Sequence, residues 1–341
     1  MADSVSPSAA GDGRRNVVVV NCDAGLFPVA AFLGQRLARL NPRADTDVLV
    51  VSDSHNDLQT AAGLSPAYRL MMFNPSQFAA RLPPGFMHPI FHRYFLPGIL
   101  ARDYRRMLYI DVDTYPHDAR LFGAFDLDLE GNAVGGVRDA LIGFPGSAPS
   151  DERDETVRNR EGKYLNTGVM LIDIDAFARA RLLDRLCATI AQKRQALRYP
   201  DQSALNMLLD GKWLELSPAF NMLRAEYESF VRDAFPPVIA HFAGKTKPWH
   251  GPRFNFDHPV RRELETFIAG SPWPRFLGRF FSFDQAWQAA GKPGVVQPMG
   301  AGDFIARGII DRAALVRHLR KTRFADVEAG IVEPHLDKLP A

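Results

Sequence analysis

The sequence predicts an α/β fold in which helices flank a mostly parallel sheet. Four consecutive valines at 17–20, a helical pattern that begins at Pro28 and ends before Pro42, and an apolar run at 47–53 form a strand–helix–strand unit. Strands buried on both faces, as in a parallel sheet, lack polar alternation. A later strand over residues 106–113 ends in acidic residues, and ligands of such sheets bind beyond the carboxyl ends of their strands.

The composition is typical of a soluble enzyme and excludes several other classes. The 341 residues are 46% hydrophobic and 23% charged, enough for one large domain or a domain with an appendage. A net charge of +2 without a basic stripe predicts no nucleic-acid partner. Cys22 and Cys187 form no disulfide framework, which fits a reducing compartment. We therefore expect a cytoplasmic protein.

The remaining elements follow from the spacing of apolar residues and from Pro and Gly. Residues 1–15 are predicted to be a disordered tail, and the Gly/Pro-rich, charged stretch 143–160 is predicted to be a mobile lid. Further strands are predicted at 68–73, 133–137, 163–173 and 238–240, and helices at 90–100 (bent or interrupted at Pro97), 176–197, from Pro200 onward, and 314–321.

Asp111 and Asp113 are the first candidates for a functional site. Two carboxylates one residue apart repel each other unless a cation lies between them. Hard cations such as Mg²⁺ or Mn²⁺ prefer oxygen ligands, and a bound cation would in turn hold phosphates. The alternative is an Asp-x-Asp turn that caps the strand and binds nothing.

Other candidates have structural alternatives of equal or greater weight when each is considered alone. Asp23 follows the first strand and either meets a ligand or caps a helix. Arg93, in the first turns of its helix, is by itself most simply a solvated surface charge. Asp201 could cap the helix that begins at Pro200, and His241 could be a packed histidine at the end of a strand.

Four motifs, in order, resemble those of glycosyltransferase family 8, and the resemblance runs from about residue 17 to about residue 250. The family contains retaining enzymes of the GT-A type, including bacterial lipopolysaccharide galactosyl- and glucosyltransferases, with a Rossmann-like sheet. The resemblance implies a UDP-sugar donor and Mn²⁺, with Mg²⁺ as an alternative. The motifs occupy residues 108–113, 164–172, 201–206 and 241–249.

The resemblance also implies a role for individual residues. Asp111, Asp113 and His241 would be the metal ligands, a set that leaves positions for diphosphate oxygens. The residues implied in catalysis around the donor sugar are Gln202, Asp201 and Asp139. Those implied in donor binding are Asp23, Arg93, Val112, Asn166, Thr167, Gly244 and Lys247.

The function implied is transfer of galactose or glucose from a UDP-sugar to a glycan or glycolipid acceptor. Two alternatives are a haloacid-dehalogenase-type phosphatase, in which Tyr115 stands where Thr or Val is expected, and a non-catalytic relative that only binds sugar nucleotides. Two departures from the family concern the donor. Ser203 replaces an acid that often follows the Asp-Gln pair, and the tyrosine that stacks on uracil is missing or replaced by Phe27.

The domain organisation predicted is a tail (1–15), a GT-A-type catalytic domain (16–252) and a small helical C-terminal extension (253–341). Residues 272–281 of the extension mix aromatics with arginines. One interpretation is a surface that contacts the acceptor or lies on the inner face of the membrane, and the other is a helix packed on the catalytic domain.

Overall fold

The computed structural model describes residues 14–64, 66–84, 89–139, 163–193, 195, 197, 199–227, 229–244, 247–249, 259–278 and 312–340. The lid predicted at 143–160, nearly all of the predicted tail, and the last part of the aromatic and arginine-rich segment lie outside these residues.

The described strands form two sheets. They are β1 (Arg15–Cys22), β2 (Thr46–Ser52), β3 (Arg69–Met72), β4 (Tyr104–Asp111), β5 (Thr114–Pro116), β6 (Val134–Arg138), β7 (Leu165–Asp173), β8 (Leu214–Leu216), β9 (Met222–Leu223) and β10 (Ile239–His241).

The large sheet has seven strands in the order β3-β2-β1-β4-β7-β6-β8. Strand β7 runs antiparallel to β4 and β6, and the other neighbouring pairs are parallel, which confirms the predicted α/β fold with a mostly parallel sheet. A small sheet, β5-β10-β9, pairs His241 with Thr114 directly after the end of β4. This pairing carries His241 back to the acidic strand end.

Helices cover the sheet. They are α1 (Phe27–Leu40), α2 (His55–Ala62), α3 (Pro89–Leu100), α4 (Ile174–Arg179), α5 (Leu182–Lys193), α6 (Pro200–Leu209), α7 (Arg224–Tyr227), α8 (Phe230–Ala234), α9 (Pro259–Ala269), α10 (Arg312–Lys321) and α11 (Ala325–Glu328). All of the predicted helices are present except that the one over 176–197 is divided, and α2, α7, α8, α9 and α11 were not predicted. Pro97 lies inside α3 without ending it.

The single helix predicted over 176–197 is wrong, because the chain breaks into α4 and α5. Arg181, between them, has a left-handed φ of +50°, and the backbone N–H of Ala180 closes the last turn of α4. Phe177 before the break and Leu186 after it are both buried in the same cluster. Both helices keep their apolar residues at helical spacing, so the pattern alone does not reveal the break.

The core lies on both faces of the large sheet. Val18 and Val20 of β1 belong to one hydrophobic cluster, and Val17 and Val19 belong to the other. Alternate side chains therefore face opposite layers, as expected for a doubly covered strand. Leu315 and Leu319 of α10 join the first cluster. None of the helices in the described ranges has the length and hydropathy that a bilayer crossing needs.

Candidate active site

Asp111, Asp113 and His241 come together at the carboxyl end of β4. One ligand atom from each residue lies within 4.8 Å of those of the other two. Nε2 of His241 is 3.3 Å from Oδ1 of Asp113. The cluster therefore offers two carboxylates and an imidazole to one point in space, although the residues are up to 130 positions apart in the chain. This donor set suits a borderline divalent cation.

Asp111 is held by a buried arginine. Nη2 of Arg93 lies 2.9 Å from Oδ1 of Asp111, and the same oxygen accepts a hydrogen bond of 2.8 Å from the hydroxyl of Tyr109. Burial raises the pKa of Asp111 above its usual range, and the arginine opposes that shift. Arg93 is only 3% exposed and lies over the ring of Tyr109. The interpretation of Arg93 as a solvated surface charge is therefore wrong.

Asp113 has a different environment from Asp111. Its carboxylate contacts the ammonium of Lys247, which also donates a 2.9 Å hydrogen bond to the backbone oxygen of Phe242. Burial tends to raise the pKa of Asp113, but the His241 ring in its protonated form and then Lys247 outweigh it and hold this pKa well below its usual range. Asp113 therefore stays ionised and able to bind a cation.

Gly168 has no side chain, and this absence makes room for His241 and Asp111. A Cβ atom at this position would lie 2.7 Å from Nδ1 of His241 and 3.0 Å from Oδ2 of Asp111. Any side chain here would push the imidazole away from the two carboxylates. The close approach of the backbone at Gly168 and the chemistry of the three donors thus fit a bound metal ion.

The residues implied around the donor sugar form one hydrogen-bonded group beside the cluster. Asp139 accepts from Nδ2 of Asn166 at 2.8 Å and from Nε2 of Gln202 at 3.4 Å. Oε1 of Gln202 accepts a hydrogen bond of 3.0 Å from the backbone N–H of Thr167. The backbone oxygen of Thr167 accepts one of 2.6 Å from Nη1 of Arg93. Arg93 therefore connects this group to Asp111 of the candidate metal site.

Asp201 and Ser203 begin α6 on either side of Gln202. The hydroxyl of Tyr94 donates to the backbone oxygen of Asp201 at 3.2 Å. Ser203 is fully buried, and its hydroxyl hydrogen-bonds to that of Tyr164 at 2.9 Å. The serine that replaces the family's acid therefore lies in the core and presents no group to a sugar.

A crevice of about 220 Å³ lies beyond the strand ends, next to the cluster. Asp23, Val112 and Lys247 line it, together with Trp249. Asp23 also caps the turn Ala24–Leu26, since its Oδ1 accepts the N–H of Leu26. Asp23 therefore has the capping role considered from the sequence, and it also lines the crevice.

Gly244 and Phe27 are two further residues that the sequence analysis associated with donor binding. Gly244 has φ of +97°, a backbone conformation that favours glycine. Phe27 is fully buried and packs against Trp273, with ring centroids 5.4 Å apart. Phe27 therefore offers no open face on which uracil could stack in this structure.

The described part of the aromatic and arginine-rich segment packs against Phe27 and Asp57. Nε1 of Trp273 donates to Oδ1 of Asp57 at 3.1 Å, and Phe276 is buried. A second cavity, of about 670 Å³, lies between these residues and the turn that contains Gly25. Trp273 and Phe276 thus contact the catalytic core directly.

Sequence reasoning missed Asn221, which is fully buried in the centre of the site. Its Oδ1 lies 2.8 Å from Nδ1 of His241, and its Nδ2 donates to Oδ1 of Asn166 at 2.9 Å. Asn221 ends a short 3₁₀ turn, Pro218–Asn221, between β8 and β9. Its surroundings carry no spacing signal by which the sequence alone could have revealed it.

Comparison with known proteins agrees with this architecture. The family model described as glycosyl transferase family 8 matches residues 36–252, well over half of the chain. The chain therefore belongs to glycosyltransferase family 8. This membership argues against the dehalogenase-type phosphatase considered from the sequence.

Individual relatives are distant. The chain is 27% identical to general stress protein A of Bacillus subtilis (54% of this chain, 65% of that protein) and 24% identical to a lipopolysaccharide 1,2-glucosyltransferase of Escherichia coli K12 (68% and 71%). It covers only 39% of glycosyltransferase GlyF of Streptococcus pneumoniae, so it spans less than two thirds of some of these relatives.

Solved structures share the fold. The galactosyltransferase LgtC, in complex with donor and acceptor sugar analogs, superposes with a TM-score of 0.58 at 21% identity, over 80% of this chain and 99% of that one. An active-site mutant of LgtC gives 0.61 over 75% and 96%. At this identity the likeness shows the fold alone.

Proposed function

We propose that the protein is a metal-dependent, retaining hexosyltransferase that moves galactose or glucose from a UDP-sugar to a glycan or glycolipid acceptor. The observation that carries the proposal is the convergence of Asp111, Asp113 and His241 beside a crevice at the carboxyl ends of parallel strands. Membership of glycosyltransferase family 8 supports the same reaction class. The glucosyltransferase of E. coli suggests a lipopolysaccharide-type acceptor.

The three clustered residues are proposed to hold Mn²⁺, with Mg²⁺ as the alternative. A divalent cation bound there would offset the negative charge that grows on the UDP leaving group. Lys247, whose ammonium already reaches this point, would add a second positive charge for the diphosphate. Gly244, with its left-handed backbone, lets the chain approach phosphate without a side chain between them.

Gln202 and Asp139 are proposed to face the donor sugar. As the bond to UDP breaks, the anomeric carbon gains positive charge, which the amide oxygen of Gln202 and the carboxylate of Asp139 would stabilise. Thr167 orients that amide through its N–H, so its position is set before substrate binds. The acceptor hydroxyl would attack from the side that UDP leaves, with its proton passing to a phosphate oxygen. Asp201, Asn166 and the other donor-binding residues named above complete this proposed site.

The test is a thermal-shift screen of UDP-galactose, UDP-glucose, UDP-GlcNAc and GDP-mannose, each with and without Mn²⁺. A ligand at a hundredfold over its Kd stabilises by about 2.7 kcal/mol, which is readily resolved. We expect stabilisation by UDP-galactose or UDP-glucose that requires the cation. Stabilisation without any release of UDP in the presence of acceptors would instead support a relative that only binds sugar nucleotides.

A further inference from the structure

Asn221 links His241 to the proposed donor-sugar residues, and no motif of the sequence assigns it a role. It is fully buried, and both ends of its amide are used. One end is 2.8 Å from Nδ1 of His241, and the other donates to Asn166 at 2.9 Å. The direction of these hydrogen bonds decides which nitrogen of the imidazole carries its proton.

Two groups whose hydrogen-bonding roles cannot change fix the orientation of the Asn166 amide. The backbone N–H of Gly168 can only donate, and it lies 3.0 Å from Oδ1 of Asn166. The carboxylate of Asp139 accepts, and it lies 2.8 Å from Nδ2 of Asn166. The amide of Asn166 therefore has one orientation, with its oxygen toward Gly168 and Asn221.

Asn221 must then present its NH₂ group to Asn166 and its oxygen to His241. An oxygen at 2.8 Å requires a donor, so Nδ1 of the neutral imidazole carries the hydrogen and Nε2 keeps its lone pair. Nε2 is the nitrogen that faces Asp113, at 3.3 Å. Without Asn221, the nearest acceptor for an imidazole N–H is this carboxylate, and the hydrogen would then occupy the position needed for a metal.

We infer that Asn221 is a positioning residue. The backbone N–H of Gly168 fixes the orientation of the Asn166 amide, and Asn166 in turn fixes that of Asn221. Asn221 then holds the hydrogen of His241 on Nδ1, so that the Nε2 lone pair points at the cation site. Outer partners of this kind typically change metal affinity 10–100-fold when they are removed. The inference rests on the metal site of the proposed function, but its first readout needs no metal.

The first experiment records the imidazole tautomer in the full chain labelled with ¹⁵N-histidine, without metal, at a pH where the ring is neutral. The signals of His241 are assigned by their loss in His241→Gln. We expect hydrogen on Nδ1 in the wild type. In Asn221→Leu we expect the hydrogen on Nε2, with Asn221→Ala in its place if the leucine variant does not fold.

The second experiment titrates Mn²⁺ alone and follows the free ion by electron paramagnetic resonance. Asn221→Leu or Asn221→Ala should bind about 10–100-fold more weakly than the wild type. An unchanged tautomer together with unchanged Mn²⁺ affinity in Leu and Ala variants would overturn the inference. Absence of Mn²⁺ binding by the wild type would instead overturn the proposed metal site, while the tautomer result would still decide the role of Asn221.

Discussion

Nη2 of Arg93 lies 2.9 Å from Oδ1 of Asp111, and the arginine is almost fully buried. Asp111 thus has two tasks: it is a candidate metal ligand, and it balances a charge inside the protein. Asp113 contacts Lys247 and lies 3.3 Å from Nε2 of His241, and these two partners hold its pKa below the usual range. The two carboxylates differ in the direction of their pKa shifts, since burial raises the pKa of Asp111 whereas the partners of Asp113 lower its pKa.

Asp111→Asn and Asp113→Asn should both abolish Mn²⁺-dependent binding of the donor, because each removes one charged ligand. Asp111→Asn should also cost about 1–3 kcal/mol of folding free energy, since Arg93 loses its counter-charge but keeps a hydrogen-bond acceptor. Asp113→Asn should cost a similar amount near neutral pH, because Lys247 and His241 lose the charge with which they pair. Calorimetry with UDP and Mn²⁺ and urea denaturation measure the two effects.

The exposed Asp337→Asn serves as the control for both measurements, since its side chain is 72% exposed. If Asp111→Asn or Asp113→Asn binds the donor as tightly as the wild type in the presence of Mn²⁺, the substituted residue is not one of the proposed metal ligands.

Gly168→Ala should weaken Mn²⁺ binding more than it weakens the fold. The added Cβ would lie 2.7 Å from Nδ1 of His241, so the ring must move away from the carboxylates. We expect a stability loss of about 1–3 kcal/mol, typical of overpacking, and loss of measurable Mn²⁺ binding. Gly98→Ala is the matched control, because a Cβ there meets nothing within 4 Å. Unchanged Mn²⁺ affinity in Gly168→Ala would show that His241 is not a ligand.

Gln202→Ala should impair transfer much more than donor binding, and the product should keep the donor's anomeric configuration. The amide is proposed to act on charge that develops only in the transition state, so its loss appears mainly in kcat. One contact of this kind typically contributes about 10²–10³ in rate, and a neutral amide should lie at the lower end. Steady-state kinetics beside calorimetric donor affinity separate the two quantities.

The exposed Gln192→Ala, on α5, controls for removal of an amide elsewhere. A raised KM with unchanged kcat in Gln202→Ala would limit this residue to donor binding, and an inverted product by NMR would exclude the retaining reaction.

Glu226→Gln should change how stability depends on pH. Burial raises the pKa of Glu226 from its ordinary value of 4.5 to about 8, and Asp139 adds to that shift. Between these values the folded state keeps a proton that the unfolded chain releases, so this group makes stability fall as pH rises from about 4.5 to about 8. Glutamine keeps an acceptor for the N–H of Leu223 and removes this dependence.

Urea denaturation at pH 5, 7 and 9 tests this expectation. The variant should equal the wild type at low pH and exceed it at pH 9, by an amount on the order of a few kcal/mol. The exposed Glu333→Gln should show no such divergence. A wild type and a Glu226→Gln variant with parallel pH profiles would contradict a buried, protonated Glu226.

The sequence alone determined the fold class and most of the large elements, because hydrophobic periodicity and strand burial are local properties. The valines of β1, the helix opened by Pro28 and the strand that ends at Asp111 all appear where they were predicted. The motifs also supplied Asp111, Asp113 and His241 as candidate metal ligands, and the structure brings these three residues together. The carboxyl ends of neighbouring parallel strands meet at one sheet edge, so the residues that follow such strands can be recognised as candidates from local patterns.

Only the tertiary structure decided which of these side chains meet and in what electrostatic setting. The ion pair of Arg93 with Asp111 and the hydrogen bond of Asn221 to His241 each join residues far apart in the chain. Short strands such as β5 and β9 carry too few residues for a periodic signal and exist because they pair with β10. Local patterns encode propensity and burial, whereas the polarity of a buried network is fixed only when every donor finds its acceptor.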